Sequence, residues 1–270
     1  MNNIISSRKI LTYISLLMIS LLSISCEKVI SVDLNSAAPQ LVIEASISDQ
    51  PGPYLVKLSQ TVNFDQTNTF PSVSGAKIII SDNFGNSDSL KEAFSGTYKT
   101  SAIQGIPGRT YTITINANGK EYIAVSTMPP PVNIDSLNVE SQTFGPQNIK
   151  FVDVHFRDSA NIKNYYRFVE VRNGVQQKFI FLFDDRLQDG GSVTSSLLAD
   201  EDTLNSGDSV NILLQCIDSK VFDYYRTIRQ ASGDGGPSAP TPANPLSNFT
   251  GGALGYFSAY TVRSKLIIIP

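Results

Sequence analysis

The side chains of this chain that are able to do catalytic chemistry are few and widely spaced. His155 is the only histidine, which excludes a multi-histidine metal site and the H-E-x-x-H zinc motif. A Ser-His-Asp triad would have to use His155, yet the sequence has no G-x-S-x-G elbow to present a serine nucleophile. We therefore predict no catalytic residue and interpret His155 as a structural or solvated side chain on its strand.

Carboxylates are concentrated in one polar stretch, residues 184–209, which the sequence predicts to be mainly loop. We interpret these carboxylates as solvated loop charge. Oxygen-rich loops suit calcium, but Leu204 stands at the fifth position counted from Asp200 as the first, where an EF-hand loop needs a ligand. A carboxylate pair for glycoside hydrolysis is defined by its spatial separation, which the sequence does not give. We therefore predict no metal and no other cofactor, with calcium compatible but unsupported. The acidic residues are Asp184, Asp185, Asp189, Asp200, Glu201, Asp202 and Asp208.

Aromatic side chains near the C-terminus are the more promising resource for binding. Phe249, Tyr256 and Tyr260 follow a Gly/Pro-rich stretch, residues 232–248. Long loops without regular structure are usually functional or disordered, and aromatic rings supply large contact areas. We predict that these three residues form a candidate binding surface for a ligand that the sequence does not identify.

Cys26 points to covalent chemistry of a different kind. Arg8 and Lys9 precede an apolar run over residues 10–24, which is the pattern of a secretory signal. Leu22-Ser23-Ile24-Ser25 before the cysteine resembles a bacterial lipobox, in which the cysteine is acylated, although the leucine stands four rather than three residues before it. Each buried methylene contributes about 0.8 kcal/mol, so we predict a lasting lipid anchor on Cys26. The alternative is an ordinary signal peptide followed by a chance cysteine.

The net charge and the number of cysteines exclude two features, a nucleic-acid partner and a disulfide bond. Removal of residues 1–25 leaves 19 basic and 24 acidic side chains, a net charge of −5. A chain with no basic run lacks the electrostatic footprint of a nucleic-acid-binding protein. If Cys26 carries lipid, Cys216 has no disulfide partner, and we predict a buried structural thiol there.

Short strands separated by turn residues dominate the first half of the chain. About seven such strands in residues 40–128 predict an immunoglobulin-like sandwich. Asn118-Gly119 between two β-rich runs predicts a two-residue hairpin. Tyr111 stands at a strand entrance, where a tyrosine often fixes the corner of such a sandwich. Pro129-Pro130-Pro131 favours an extended connector, so we place a boundary there.

The second half is again β-rich, with one helix. Asn173-Gly174 predicts another hairpin. Apolar residues at helical spacing after Asp218 or Ser219, either of which is a suitable N-cap, predict a helix over residues 219–231. The C-terminal residues predict one strand within residues 251–262 and a separate final strand over residues 266–269. Gly255 lies among small residues on one face of the first of these strands, which would let another backbone approach closely. The apolar residues of the helix are Val221, Phe222, Tyr225 and Ile228.

These patterns predict an all-β fold: an N-terminal immunoglobulin-like β-sandwich followed by a second antiparallel β domain carrying one short helix. The predicted organisation is a signal peptide (1–25), a tether (26–39), the sandwich (40–128), a Pro-rich linker (129–133) and the second domain (134–270) with its helix at 219–231 and long loop at 232–248.

Four stretches carry a resemblance to a known family, and together they cover nearly the whole chain. The most specific is Gly251-Gly252-Ala253-Leu254-Gly255-Tyr256-Phe257. The chain resembles the lipoproteins of domain-of-unknown-function family 4249, which are found in Bacteroidota. The other stretches are Ser25-Cys26-Glu27-Lys28-Val29-Ile30, Pro51-Gly52-Pro53-Tyr54 and Gly105-Ile106-Pro107-Gly108-Arg109-Thr110-Tyr111.

The resemblance implies an outer-membrane lipoprotein that works beside a TonB-dependent β-barrel transporter, and it supplies no catalytic residue. Glu27 followed by Lys28 leaves both the periplasmic and the cell-surface face of the outer membrane open. We therefore expect a non-enzymatic binding or accessory component whose partners are the membrane, through the lipid, and such a transporter. The alternatives are a surface hydrolase acting on glycans or peptides, and a structural or adhesive surface protein.

Overall fold

The computed structural model of the chain describes residues 38–63, 69–186, 189–199, 203–231 and 244–270, and the predicted signal peptide, Cys26 and most of the predicted tether and long loop lie outside them. The described residues form sixteen β-strands and one α-helix, which confirms the predicted all-β fold. They are β1 (Leu41–Ser48), β2 (Leu55–Gln60), β3 (Lys77–Asp82), β4 (Ser87–Ser89), β5 (Lys91–Phe94), β6 (Thr97–Lys99), β7 (Thr110–Ala117), β8 (Lys120–Thr127), β9 (Ile134–Phe144), β10 (Gln147–Asp158), β11 (Tyr165–Arg172), β12 (Val175–Gln176), β13 (Phe181–Asp184), β14 (Gly191–Ser196), β15 (Ser209–Ile217), α1 (Ser219–Ala231) and β16 (Leu254–Ile268).

One long sheet contains strands from both halves of the chain. Its order is β12-β11-β15-β16-β1-β2-β6-β5, with β13 also paired to β11. Strand β16 joins the halves, because it pairs antiparallel with β15 on one side and parallel with β1 on the other. Two smaller sheets, β4-β3-β7-β8 and β14-β10-β9, complete the β structure.

The hydrophobic core follows the two halves of the chain. The first cluster packs the β1, β2 and β6 side of the long sheet against β3, β7 and β8. It includes residues from Leu41 to Met128 and, from the C-terminal part of the chain, Phe249, Ala253, Phe257 and Ala259. The second begins at Val132 and packs β11 and β15 against β10 and β14. Alternating burial along β7 and β10 places every second side chain in these clusters, as expected for sheets with one covered face. Up to residue 248, the change from one cluster to the other falls at the predicted Pro-rich linker. Residues 38–270 form one compact unit, so the division into separate domains stays a prediction.

Local turn chemistry agrees with the sequence. Asn118 and Gly119 both have positive φ, as a two-residue hairpin between β7 and β8 requires, and Asn173 with Gly174 repeats this between β11 and β12. The buried Tyr111 donates a hydrogen bond to Gln104 O (3.1 Å) and accepts one from the Ile106 N–H (2.7 Å). This tyrosine therefore fixes the corner that the sequence predicts.

Two features differ from the sequence interpretation. Residues 184–209, predicted to be mainly loop, contain β14, whose serine- and threonine-rich sequence pairs with β10 through backbone hydrogen bonds and buries only Val193 deeply. The C-terminal residues, interpreted as two separate strands, form the continuous strand β16. Ser264 and Lys265 do not interrupt it, because the ladder with β15 runs through them.

Two buried carboxylates anchor loops of the first half. Burial alone would raise the pKa of Asp88, but hydrogen bonds from three successive backbone N–H groups (residues 101–103) and the Ser101 hydroxyl outweigh it and lower the pKa to about 2. In Asp82, burial is likewise outweighed by hydrogen bonds from Asn86, Arg109 and backbone N–H groups, and the pKa is again about 2.

We predict acid sensitivity from these two groups. Their folded pKa values lie below the reference value of 3.8, so their stabilisation is present above that pH and is lost as the pH falls toward about 2. Asp88→Asn should lower the free energy of unfolding at pH 7 and flatten its decline between pH 4 and pH 2, as measured by urea denaturation across pH. Glu121→Gln, an exposed carboxylate on β8, serves as the control, and equal pH profiles for both variants would contradict the assignment.

We also predict that Gly255 is indispensable for joining β16 to β1. A Cβ atom there would lie 1.9 Å from Ile43 O, and its φ of +93° is unfavourable for other residues. Gly255→Ala should lower the free energy of unfolding by more than about 2 kcal/mol. Gly252→Ala is the matched control, because its φ is +76° but no atom lies within 4 Å of the added Cβ. Similar losses in the two variants would show that only backbone strain matters.

Candidate functional site

The structure separates the three aromatic residues that the sequence predicts as a binding surface. Phe249 is only 7% exposed and belongs to the first core cluster, so its prediction as a surface residue is wrong. The reason is its backbone: Phe249 forms a β-bridge with Ala124 of β8, which turns the ring inward. Tyr256 and Tyr260, in contrast, are half-buried on β16 and lie beside helix α1.

Helix α1 forms an aromatic cluster with these two tyrosines. The Tyr256 ring centroid lies 4.8 Å from that of Tyr224 and 5.2 Å from that of Tyr225. Tyr260 belongs to the same hydrophobic cluster. We call Tyr224, Tyr225, Tyr256 and Tyr260 the tyrosine cluster. Ring spacings of this size are typical of favourable aromatic contacts, so the cluster fastens α1 to the sheet.

An arginine extends the tyrosine cluster toward β15. The guanidinium carbon of Arg167 lies 4.1 Å from the ring centroid of Tyr225, a cation–π distance. Its Nη1 donates to Gln215 Oε1 (3.0 Å). Its Nε is buried and has no hydrogen-bond partner among the described residues. The arginine is therefore held by two contacts while one N–H donor is left unused.

Ser258 adds a second unused polar atom on the same face of the sheet. The residue is 3% exposed, and its Oγ has no hydrogen-bond partner in the described part of the chain. Ser258 lies between Tyr256 and Tyr260 in sequence at alternating positions of β16, so the three side chains share a face. An unpaired buried polar group costs about 1–3 kcal/mol. Arg167 Nε and Ser258 Oγ are thus buried polar atoms whose hydrogen-bonding capacity the described residues leave unused.

Strand register explains how distant residues reach this face. Arg167 pairs with Gln215, and Gln215 pairs with Val262, two positions after Tyr260 on β16. On the other side of β16, Ser46 pairs with Ser258. Side chains directly opposite in neighbouring strands point to the same side. We call this surface, on which α1 also lies, the helix face of the long sheet.

The position of α1 is fixed at its start by Asp218. Its Oδ1 accepts from the Val221 N–H (3.0 Å), which is the predicted N-cap. Its Oδ2 accepts a short hydrogen bond from the hydroxyl of Ser126 on β8, and that hydroxyl accepts from the Ala259 N–H of β16 (2.8 Å). Burial raises the pKa of Asp218. This chain of hydrogen bonds ties the helix to β8 and to β16.

A cleft of about 500 Å³ opens beside the helix face, at the point where β1 ends. Asp49 closes one side of it, accepting from the Val262 N–H (3.0 Å) and forming an ion pair with Arg263 (2.6 Å). Leu213 and Val262 supply apolar surface. No local sequence pattern predicts this cleft, because its walls come from β15, from β16 and from the residues that follow β1, which are remote from one another in the chain. Gln50 and Ser264 complete its lining.

Three carboxylates of the second half also come together. One oxygen of each of Asp158, Asp185 and Asp189 lies within 4.8 Å of the others, so these residues could hold a cation. Each is already engaged: Asp158 accepts from Tyr166 and Gly190, Asp185 from the Asn164 N–H, and Asp189 from the Asn161 N–H. The cluster therefore has a sufficient structural role in joining two loops. Of the acidic residues predicted to be solvated, Asp185 is 6% exposed.

His155 and Cys216, which the sequence analysis also considered, contact neighbouring strands or lie in the core. His155 lies between its neighbouring strands, with Nε2 3.2 Å from Asn138 Nδ2 and Nδ1 2.8 Å from Thr194 Oγ1. Cys216 is 3% exposed with a free thiol, as predicted, and burial raises the pKa of that thiol. Cys26 lies outside the described residues.

We predict that the two buried serines of this region differ in what they contribute to stability. Ser258→Ala should leave the free energy of unfolding unchanged or raise it, because the hydroxyl makes no hydrogen bond within the described residues. Ser126→Ala is the matched control and should lower it by about 1–3 kcal/mol, since the removed hydroxyl bonds Asp218 and Ala259. Urea denaturation of both variants provides the measurement, and a comparable loss in Ser258→Ala would mean that its hydroxyl is already satisfied.

Comparison with known proteins identifies a family. The family model described as "Domain of unknown function (DUF4249)" matches residues 27–266. No curated protein matches the sequence. Among solved structures, a two fibronectin type-III domain segment from chicken tenascin aligns with 85% of this chain and 98% of its own length, at 10% identity and a TM-score of 0.24. The described residues include no helix that is long and apolar enough to cross a membrane.

Proposed function

The chain belongs to the DUF4249 family, and we propose that it is a non-enzymatic binding or accessory lipoprotein of the outer membrane, working beside a TonB-dependent transporter. The observation that supports binding is the pair of unused polar atoms beside the tyrosine cluster, Arg167 Nε and Ser258 Oγ. The lipobox-like sequence before Cys26 supports the anchor. The transporter and the outer membrane come from the resemblance of the whole chain to lipoproteins of this family.

The arrangement of the helix face suits binding better than it suits catalysis. General acid–base chemistry needs a group that titrates near the working pH within hydrogen-bond reach of the reacting atom. Burial instead raises the pKa of the Tyr225 and Tyr260 hydroxyls, which keeps them protonated as hydrogen-bond donors. Aromatic rings with hydroxyl tips offer apolar contact and hydrogen bonds together. The tyrosine cluster is therefore our candidate recognition surface.

The alternative function, a surface hydrolase, would use acidic residues of the stretch 184–209, and two of these residues already have partners within the protein. Asp184 forms an ion pair with Arg186 (2.8 Å), and hydrogen bonding by this arginine lowers the pKa of Asp184. Asp208 accepts from Asn173 Nδ2 (2.9 Å) and from the Asn205 N–H (2.9 Å). These contacts give both carboxylates a role in holding turns. Among the acidic residues that the structure describes in this stretch, these two carboxylates therefore give the hydrolase hypothesis no support.

We predict that Cys26 carries the membrane anchor. In cells of a bacterium that acylates lipoproteins, Cys26→Ala should abolish incorporation of labelled palmitate and move the protein from the membrane to the soluble fraction. Cys216→Ala, which removes the buried thiol, should retain the label. Undiminished labelling of Cys26→Ala would refute the anchor.

We further predict that the tyrosine hydroxyls contribute to partner binding. Affinity purification of the tagged protein from gently solubilised membranes should recover one β-barrel transporter in stoichiometric amount. The double variant Tyr256→Phe/Tyr260→Phe should recover about tenfold less, because two hydrogen bonds of about 0.5–1.5 kcal/mol each are removed. Phe94→Ala, a 77% exposed aromatic on β5, is the control and should leave recovery unchanged. Recovery of the lipoprotein alone would instead favour the adhesive or enzymatic alternative.

A further inference from the structure

The outer edge of β16 is covered by another strand along only part of its length. β1 pairs with β16 from Leu254 to Tyr260 and then ends at Ser48. From Thr261 to Ile268, β16 pairs with β15 alone among the described strands. Half of this long strand is therefore open on the side where β1 would have continued.

The direction of the free backbone groups follows from Val262. Its N–H points to the β1 side, because it donates to Asp49 Oδ1 at 3.0 Å. N–H and C=O groups at alternate residues of a strand point to the same side. Those of Ser264, Leu266 and Ile268 consequently face the open edge, and no strand in the described part of the chain pairs with them.

The side chains along this edge are unusual for a protected strand. Leu266 is 59% exposed and Ile268 is 57% exposed. Proteins commonly block open edges with charges, proline or bulges, and an exposed apolar edge is a template for an added strand. Lys265, the charge in this stretch, reaches back to Asp135 O instead of guarding the edge. The edge thus offers both backbone hydrogen bonds and apolar contacts.

A cation stands at the beginning of the open edge. Arg263 lines the 500 Å³ cleft, and its side chain is 34% exposed. Only its Nη1 is engaged, by Asp49 Oδ2 and Val262 O, both at 2.6 Å. Asp49 fixes the guanidinium in place, and the Nε and Nη2 donors have no hydrogen bond within the described residues. A fixed guanidinium with free N–H groups suits a carboxylate, which it can bind through two parallel hydrogen bonds.

We propose that this cleft and edge bind the C-terminal segment of an extended peptide. The terminal carboxylate lies on Arg263, and the last apolar side chain contacts Leu213 and Val262 on the cleft wall. The peptide backbone pairs with Ser264, Leu266 and Ile268. With its C-terminus at Arg263, the peptide runs antiparallel to β16 and contributes about five residues. The unused Nε and Nη2 donors of Arg263 distinguish this occupant from an internal strand of a partner, which has no terminal carboxylate to accept hydrogen bonds from them.

This inference goes beyond the proposed function, because it uses residues outside the tyrosine cluster. Failure to recover a transporter would leave it standing, and loss of peptide binding would leave the transporter proposal standing. The two are therefore tested by separate measurements.

The experiment uses the full-length protein, purified in detergent and immobilised. Two pools of random peptides about eight residues long are applied, identical except that one has free C-terminal carboxylates and the other has amidated C-termini. Retained peptides are quantified by mass spectrometry. We expect the free-acid pool to be retained about tenfold more strongly, because amidation removes the charge that Arg263 binds.

Matched variants separate the carboxylate contact from the strand pairing. Arg263→Gln should abolish the preference for free acids. The control is Arg186→Gln, which should preserve this preference, because Arg186 follows β13, is 77% exposed and forms an ion pair with Asp184. Leu266→Pro removes an outward N–H and blocks an added strand, while Leu266→Ala keeps the N–H. Peptides with N-methyl groups at alternate positions test the same pairing with the unaltered protein, so a misfolded proline variant would not decide the result.

Equal retention of the two pools, or no retention of either, would overturn the proposal. Retention that survives both Arg263→Gln and alternate N-methylation would overturn it as well, since binding would then take place elsewhere on the protein.

Discussion

The parallel pairing of β1 with β16 is the interaction on which the rest of the architecture depends. Parallel strands cannot be connected by a short turn, because the chain must cross back before the second strand begins. Here the connection contains most of the chain, since β1 ends at Ser48 and β16 begins at Leu254. The pairing brings the C-terminal strand back to the first strand and makes one sheet out of elements from both halves. It requires that the two backbones meet closely at Ile43 and Gly255, where a side chain would collide. The joining of the two halves of the chain in one sheet therefore depends on one glycine, Gly255.

The unequal lengths of the two strands create two different surfaces along β16. β1 is eight residues long and β16 is fifteen. Where they overlap, β16 presents Tyr256, Ser258 and Tyr260 to α1. Where β1 has ended, β16 continues with a free edge and a cleft beside it. A single strand thus carries a face that is covered by α1 and an edge that is uncovered, and Asp49 lies at the change between them.

Polar groups in this region fall into two energetic classes. Ser126 and Asp218 bond each other and the backbone, and so their burial is compensated. Arg167 Nε and Ser258 Oγ are buried without compensation in the described residues. Such groups lower stability, and proteins tend to keep them where binding or mechanism uses them. Buried polar groups with hydrogen-bond partners (Ser126 and Asp218) and buried polar atoms without them (Arg167 Nε and Ser258 Oγ) therefore lie close together in this region.

Local chemistry was readable from the sequence. The Asn-Gly pairs specified hairpins, because asparagine and glycine accept the positive φ that such turns demand, and Asp218 specified the start of α1 through its capping oxygen. The alternation of apolar residues specified an all-β fold. The small residues around Gly255 even indicated a close backbone approach, although not which strand would approach.

Only the tertiary structure decided which strands meet. Phe249 and Tyr256 look alike in sequence as aromatic residues near a loop, yet a β-bridge to Ala124 buries the first, and the alternation of β16 places the second on the helix face. The sequence could not predict the positions of Arg167, Ser258 and the cleft at Arg263, because the neighbours of each lie on other strands. Pairing between distant strands depends on the energy of the whole sheet, and no local pattern encodes it.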